Sequence, residues 1–195
     1  MKICPALLLA TAAATAVLGL VSPAATTANA APAARTAFAA QARSVGLNIT
    51  EAKSLQTRVD GYLAKMGGTQ VVLNKIDLGG GSEILLALPG ERSARDLTTK
   101  SSSSSKAAAL APNVCRSYYF CAYSQKNFYG DAINMTKCEK RVVPYGAHGS
   151  WANNQSKGTS AAMFNRAGTW VYATPGAYSE DRDANWNPVH WVIPC

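Results

Sequence analysis

Residues 115–130 read Cys-Arg-Ser-Tyr-Tyr-Phe-Cys-Ala-Tyr-Ser-Gln-Lys-Asn-Phe-Tyr-Gly. Within this stretch, residues 118–123 are rich in aromatic side chains, as β-strands commonly are, and the glycine that closes it is typical of a turn. Further strand-like runs occur at 161–165, 169–173 and 190–193, separated by Gly, Asn, Pro and Asp. This spacing predicts a small all-β sandwich over residues 113–195.

The first thirty residues have the three parts of a secretory signal peptide. Met1-Lys2 is a basic start, residues 6–21 are apolar, and Ala28-Asn29-Ala30 is a small-residue cleavage site. The apolar stretch is shorter than a membrane span and lacks a basic stop-transfer flank. We therefore expect residues 1–30 to be removed, and the chain to be secreted with no membrane attachment afterwards.

Cysteine usage agrees with export. Cys4 leaves with the signal peptide, so the mature chain keeps four cysteines: Cys115, Cys121, Cys138 and Cys195. An even number in an exported chain predicts two disulfides. Three connectivities are possible for four cysteines, and among them we favour Cys115 with Cys121 and Cys138 with Cys195.

Residues 31–98 have a different composition from the β-rich part. Residues 31–50 are rich in alanine with few large side chains to bury, which predicts disorder or a weak helix. Over 51–98 we expect a helix capped by Thr50 and ended by Gly67-Gly68, followed by a β-hairpin of residues 70–78 and 83–88. The helix is indicated by apolar residues at helical spacing, namely Leu55, Val59, Tyr62, Leu63 and Met66.

The segment 99–112 contains five consecutive serines and three consecutive alanines, which gives it no material for a core. It is the predicted linker and a natural site of proteolysis. A helix and hairpin of the size of 51–98 would be marginally stable alone, so this segment either docks on the β-rich part or acts as a pro-region.

Two features of the β-rich part carry a family resemblance. Tyr123, Phe128 and Gly130 follow the βγ-crystallin pattern, in which an aromatic pair braces a folded hairpin and the glycine adopts a conformation closed to other residues. Directly before it stand Cys115 and Cys121 at a spacing of six. The segment thus resembles the secreted actinobacterial peptidase inhibitors typified by the Streptomyces metalloproteinase inhibitor. The resemblance implies a crystallin-like Greek-key sandwich and a non-catalytic protein that inhibits an extracellular protease.

The reactive residue of that family cannot be carried over, because this chain has no second closely spaced cysteine pair. A surface loop held in extended form suits a protease cleft, and we expect it at Arg141, Val142, Val143, Pro144 and Tyr145. Crystallin-type calcium loops begin with two Asn or Asp residues, which makes Asn153 and Asn154 candidate ligands. Lys157 stands where a hydroxyl ligand belongs, and no cofactor other than calcium is indicated.

The sequence offers little for catalysis or for nucleic-acid binding. His-Glu-x-x-His and Gly-x-Ser-x-Gly are absent, and the Glu-Asp-Arg-Asp cluster at 180–183 is expected to be a solvated loop. The net charge of +8 is spread along the chain, and in the β-rich part Lys and Arg outnumber Asp and Glu by only eight to five. The alternative to an inhibitor is a cell-wall or carbohydrate-binding module, with an antimicrobial role among its options, that stacks sugars on exposed Trp and Tyr. A calcium-stabilised structural βγ-crystallin module is a third.

Overall fold

The computed structural model describes residues 32–98 and 114–195. The predicted signal peptide, 1–30, and the predicted linker, 99–112, lie outside these residues. Within them the chain has two helices, two antiparallel sheets and a single turn of 3-10 helix at Lys126–Phe128. The prediction of a mainly β protein preceded by a small helical segment is confirmed.

The Ala-rich segment forms helix α1, Pro32–Ser44, where the composition predicted disorder or a weak helix. Its Phe38 and Ala42 are buried in the main core, and the Gln41 side chain accepts a hydrogen bond of 2.8 Å from the Leu73 amide. The Phe38 ring and the Gln41 side chain therefore attach α1 to the rest of the protein. An alanine-rich helix of this length would be only marginally stable without such contacts.

Helix α2, Ile49–Met66, is present as its apolar spacing predicts, and it buries Leu55 and Val59 completely. Its cap is Asn48 and not Thr50, which is a correction to the expected start. Asn48 Oδ1 accepts from the Glu51 amide and Glu51 Oε2 accepts from the Asn48 amide, each at 2.9 Å. This reciprocal pair satisfies two amides at once, which a Thr50 cap would not do.

The predicted hairpin is a three-stranded meander: β1, Thr69–Val72, β2, Lys75–Gly79, and β3, Ser82–Leu85. The first predicted strand is interrupted at Asn74. Its Nδ2 donates to the carbonyls of Leu86 and Arg95, both at 2.8 Å, and so fixes a turn in the middle of an apolar run.

Eight further strands build the C-terminal part: β4, Tyr119–Tyr123, β5, Ala132–Met135, β6, Arg141–Val142, β7, His148–Asn154, β8, Ala162–Phe164, β9, Trp170–Ala173, β10, Ser179–Asn185, and β11, Trp191–Ile193. The first sheet has the order β1-β2-β3-β5-β4-β7-β10, and the second has the order β6-β11-β8-β9. The N-terminal meander thus joins the first sheet through β3 and β5.

Four of these strands coincide with the strand-like runs of the sequence, while β5, β6, β7 and β10 do not. Strand β10 contains the Glu-Asp-Arg-Asp cluster at 180–183, so the expected solvated loop is wrong. Its charges are compatible with a strand because β10 is the last strand of its sheet, and charged side chains protect such an edge against pairing with other chains.

The main hydrophobic core draws on both helices and both sheets. Leu55 and Val59 of α2 belong to the same buried cluster as Ile84, Phe120 and Ile133 of the first sheet and as Met163 and Val192 of the second. The helical segment and the β-rich part consequently share one core.

Candidate functional site

A short disulfide closes an exposed loop of the β-rich part, the loop between Cys115 and Cys121, here called the stapled loop. The two cysteines form a disulfide with their Cα atoms 5.7 Å apart. Both are buried, whereas Arg116, Ser117 and Tyr118 between them are exposed.

The tip of the stapled loop is a β-turn closed by the Tyr119 amide, which donates to the Arg116 carbonyl at 3.2 Å. Tyr118 is the third residue of this turn and has φ 71°. A positive φ at this position is required in a type II turn and normally selects glycine or asparagine. A bulky aromatic residue in this conformation is strained, and strain of this kind persists where the surrounding structure fixes it.

Strand β7 supplies that restraint. The Tyr118 amide donates to the Asn154 carbonyl at 2.7 Å, and Asn154 Nδ2 donates back to the Cys115 carbonyl at 2.9 Å. The stapled loop is therefore held by one residue at Cys115 and at its tip, as well as by its own disulfide. Its backbone has little freedom to lose when it contacts a partner.

The exposed side chains of the tip differ in their attachments. The Arg116 guanidinium lies 4.5 Å from the centre of the Tyr119 ring and forms an ion pair with Glu83 of strand β3. Tyr118 projects with 70 % of its surface exposed. The tip thus offers one anchored cation and one aromatic ring.

A second exposed tyrosine lies at the same end of the first sheet. Strand β7 pairs with β4 at Asn154–Tyr119 and with β10 at Asn153–Ser179. Tyr118 and Tyr178 each precede these strands by one residue, so they lie on either side of β7 at the same end of the sheet. Tyr178 is 62 % exposed, and its hydroxyl donates to Glu180 at 2.6 Å. This bond raises the pKa of the Tyr178 phenol and lowers the pKa of the Glu180 carboxyl.

The second disulfide joins Cys138 to Cys195, with Cα atoms 5.0 Å apart. Both bridges of the structure are the pairs favoured from the sequence. Cys195 is the last residue of the sequence, and the bridge ties it to the segment between β5 and β6.

The three residues of the crystallin-like pattern lie together directly after the stapled loop. The rings of Tyr123 and Phe128 are 5.4 Å apart at an angle of 57°. Gly130 has φ 80°, and a Cβ atom there would lie 2.2 Å from Ser124 Oγ. The crystallin-like Greek-key arrangement itself stays a prediction.

The segment expected to be the inhibitory loop occupies a less accessible place. Arg141 and Val142 form β6, which pairs with β11, and the Arg141 guanidinium donates to the carbonyls of Leu78 and Gly79. Val143 is 1 % and Tyr145 8 % exposed. Pro144 lies between these two buried residues, so the segment contributes to the core and does not form a projecting loop.

Asn153 and Asn154, the candidate calcium ligands, lie at the end of β7, and calcium binding there stays a prediction. Asn153 is fully buried, and its Oδ1 accepts from the amide and the side chain of Gln155 at 3.4 and 3.0 Å. Calcium takes six to eight oxygen ligands, with carboxylates prominent among them. Over residues 32–98 and 114–195, no group of three or more His, Cys, Asp or Glu is placed to hold a metal ion.

The fold and this site together define a disulfide-linked, mainly β protein that presents a rigid exposed loop. Residues 108–178 match the model of peptidase inhibitor family I36, which is the family that the resemblance indicated. The match includes the whole stapled loop. No curated protein and no solved structure matches the chain.

Sequence reasoning missed Arg116, Ser117 and Tyr118 as candidate contact residues, although they lie in the stretch that carried the resemblance. The sequence feature that could have indicated them is their position between two closely spaced cysteines, because a short disulfide-closed loop has no room to bury its own side chains.

In the part of the chain that the structure describes, neither helix has the length and apolar character needed to cross a membrane.

Proposed function

We propose that the chain is a secreted, non-catalytic peptidase inhibitor that contacts an extracellular protease through the stapled loop. The match of residues 108–178 to an inhibitor family supports an inhibitory role in general. The single observation that favours this loop is the combination of exposure and restraint at Tyr118. Two disulfides and the predicted signal peptide agree with a site of action outside the cell.

Rigidity is what makes a small loop effective in a protease cleft. A flexible loop would lose about 0.5–1.5 kcal/mol for each side chain that becomes ordered, in addition to its backbone entropy. The stapled loop has already lost most of its backbone freedom through the Cys115–Cys121 bridge and the two bonds to Asn154. Little of the free energy gained from the contacts of Tyr118 and Arg116 would therefore be spent on ordering the loop, and most of it would contribute to binding affinity.

Inhibition assays test this proposal directly. The purified secreted protein is titrated against a panel of extracellular metallo- and serine proteases, with Tyr118→Ala and Trp170→Ala as matched variants. Both remove an exposed aromatic side chain, but Trp170 lies on β9, outside the stapled loop. We expect Tyr118→Ala to weaken inhibition about tenfold or more and Trp170→Ala to leave it unchanged. If the parent protein in stoichiometric excess left the activity of every protease unchanged, the proposed inhibitory role would be rejected.

A cell-wall or carbohydrate-binding role is the second candidate, and the exposed aromatic pair on β9 favours it. Trp170 and Tyr172 are 61 % and 41 % exposed on β9, and a register shift against β8 lies between them. Flat exposed rings of this kind suit stacking on sugars. Sedimentation with peptidoglycan or chitin distinguishes the two roles, because Trp170→Ala should abolish pelleting and Tyr118→Ala should not.

A further inference from the structure

A cleft with a volume of about 880 Å³ opens beside the second sheet, away from the stapled loop. Its walls come from the C-terminal end of α2, from residues 142–145 and from the turn between β8 and β9. The residues directly before β11, 187–190, complete the walls together with Trp191. This volume lies in the range of sites that enclose organic ligands.

The charged side chains of the cleft have one sign. Lys65 and Arg166 line it, while none of the lining residues is Asp or Glu. Both cations are exposed. Lys140 adds a third positive charge nearby, because its Nζ lies 4.0 Å from the centre of the ring of Trp191, another lining residue.

Two asparagine amides in the cleft have their oxygens already engaged. Asn165 Oδ1 accepts from the Thr169 amide at 2.9 Å, and Asn187 Oδ1 accepts from the Ala147 amide at 2.6 Å. Each amide oxygen is thus already engaged by a backbone amide, and the NH₂ group of each side chain can donate to a ligand. The asparagines and the cations thus call for a ligand rich in hydrogen-bond acceptors.

We infer that this cleft binds an acidic peptide segment of a partner protein, with carboxylates bonded to Lys65, Arg166 and the NH₂ groups of Asn165 and Asn187. Charge complementarity selects an acidic ligand. A peptide fits better than a small free anion because the walls also contain apolar surface from Val142, Pro144 and Pro188, which would contact aliphatic side chains between the carboxylates. This inference goes beyond the proposed inhibition and does not depend on it, since the stapled loop belongs to the other sheet.

Isosteric variants provide the sharpest test. Asn165→Asp and Asn187→Asp keep the oxygen that accepts from Thr169 or Ala147 and replace the NH₂ donor with a negatively charged acceptor. Lys65→Glu and Arg166→Glu reverse the cations. Lys53→Glu is the matched control, because Lys53 is exposed on the same helix as Lys65 but about 18 Å away along it.

The probe is a fluorescent peptide of glutamate, serine and leucine, and binding to the full secreted chain is measured by fluorescence anisotropy. We expect each cleft variant to bind it about tenfold more weakly, and Lys53→Glu to bind it as the parent does. The side-chain NH₂ signals of Asn165 and Asn187 should shift on titration in the NMR spectrum. A lysine version of the peptide should not bind.

Two results would overturn the inference: no binding of the acidic peptide, and equal binding by Asn187→Asp and the parent. If the peptide does not bind, a titration with short-chain polyphosphate shows whether the cleft is a phosphate site instead. A thermal melt of each variant shows that the fold is intact, so a loss of binding is assigned to the cleft.

Discussion

The Tyr62 hydroxyl donates a hydrogen bond of 2.8 Å to the Asp131 carboxylate and so joins helix α2 to the β-rich part. The other carboxylate oxygen of Asp131 accepts from the Ala87 amide at 2.9 Å and pairs with Arg58. Asp131 is 6 % exposed, and its carbonyl accepts from the Tyr145 hydroxyl at 3.1 Å. Asp131 thus connects the helix and the chain after β3 through its carboxylate, and the segment after β6 through its backbone carbonyl.

Removing the cation from this network should destabilise the whole protein. Arg58→Met keeps most of the aliphatic packing but leaves a buried carboxylate with one strong partner fewer. Because the Arg58 side chain is 38 % exposed, we expect the free energy of unfolding to fall by about 2 kcal/mol, below the cost of breaking a fully buried pair. Urea unfolding measures the loss, with Arg43→Met on α1 as the exposed control. Equal stability of the two variants would contradict the role given to Asp131.

Cleavage of the segment 99–112 should not release the N-terminal part. Both disulfides lie within residues 115–195, so only non-covalent contacts would hold the two pieces together. These contacts include the β3–β5 pairing, the shared core, the Asp131 network and the bonds of Arg141 to the carbonyls of Leu78 and Gly79. Mild Lys-specific proteolysis should give two bands on a denaturing gel and a single peak by native size exclusion. Two separate native peaks would instead indicate a detachable pro-region.

Sequence patterns predicted the fold best where apolar periodicity was unbroken. Helix α2 and strands β4, β8, β9 and β11 were found from spacing and composition. Strand β10 was missed because it lies at the edge of its sheet and buries only one of its seven residues, Ala184. Its other residues are mostly charged or polar, a composition that is typical of a loop.

Predictions failed where a polar side chain makes a contact distant in sequence. Asn74 divides an apolar run by binding carbonyls that are far along the chain. The candidate contact site shows the same limit. The sequence predicted the Cys115–Cys121 bridge but not the contact residues between the two cysteines. The positive φ of Tyr118 is accompanied by its bond to Asn154, a pairing that no local pattern contains.

High pH should destabilise the protein through its buried tyrosines. Burial raises the pKa of the phenols of Tyr62, Tyr123 and Tyr145 above their ordinary value near 10, and the Asp131 carboxylate raises that of Tyr62 further. The unfolded chain therefore loses these protons at a lower pH than the folded chain. Stability is fully present below pH ~10 and falls as the pH rises above it, by up to about 1.4 kcal/mol per pH unit for each group.

Tyr123→Phe tests this dependence, because the ring keeps its packing against Phe128 while the titrating hydroxyl is removed. Urea unfolding between pH 8 and 11 should show a shallower decline for the variant than for the parent. The same slope in both proteins would exclude Tyr123 as a contributor.

The two disulfides should differ in what they stabilise. On the loop-entropy account, the Cys138–Cys195 bridge, with a separation of 57 residues, contributes about 4 kcal/mol, and the Cys115–Cys121 bridge, with a separation of 6, about 2 kcal/mol. Double Ser variants of each pair, compared by urea unfolding, should follow this order. Inhibition should show the reverse order, because only the short bridge restrains the stapled loop. A loss of inhibition that simply follows stability would contradict this separation.

Comparison of Gly and Ala at position 118 separates the strain of the stapled loop from its contacts. Both substitutions remove the aromatic ring, but only Ala keeps a Cβ atom that resists a φ of 71°. We expect Tyr118→Gly to be more stable than Tyr118→Ala by about 1 kcal/mol, measured by urea unfolding. If Tyr118 is a contact residue, the two variants should nevertheless lose inhibition to a similar extent. If Tyr118→Gly alone retained inhibition, the turn conformation would matter and the ring would not. If the two variants were equally stable in urea, the turn would be unstrained.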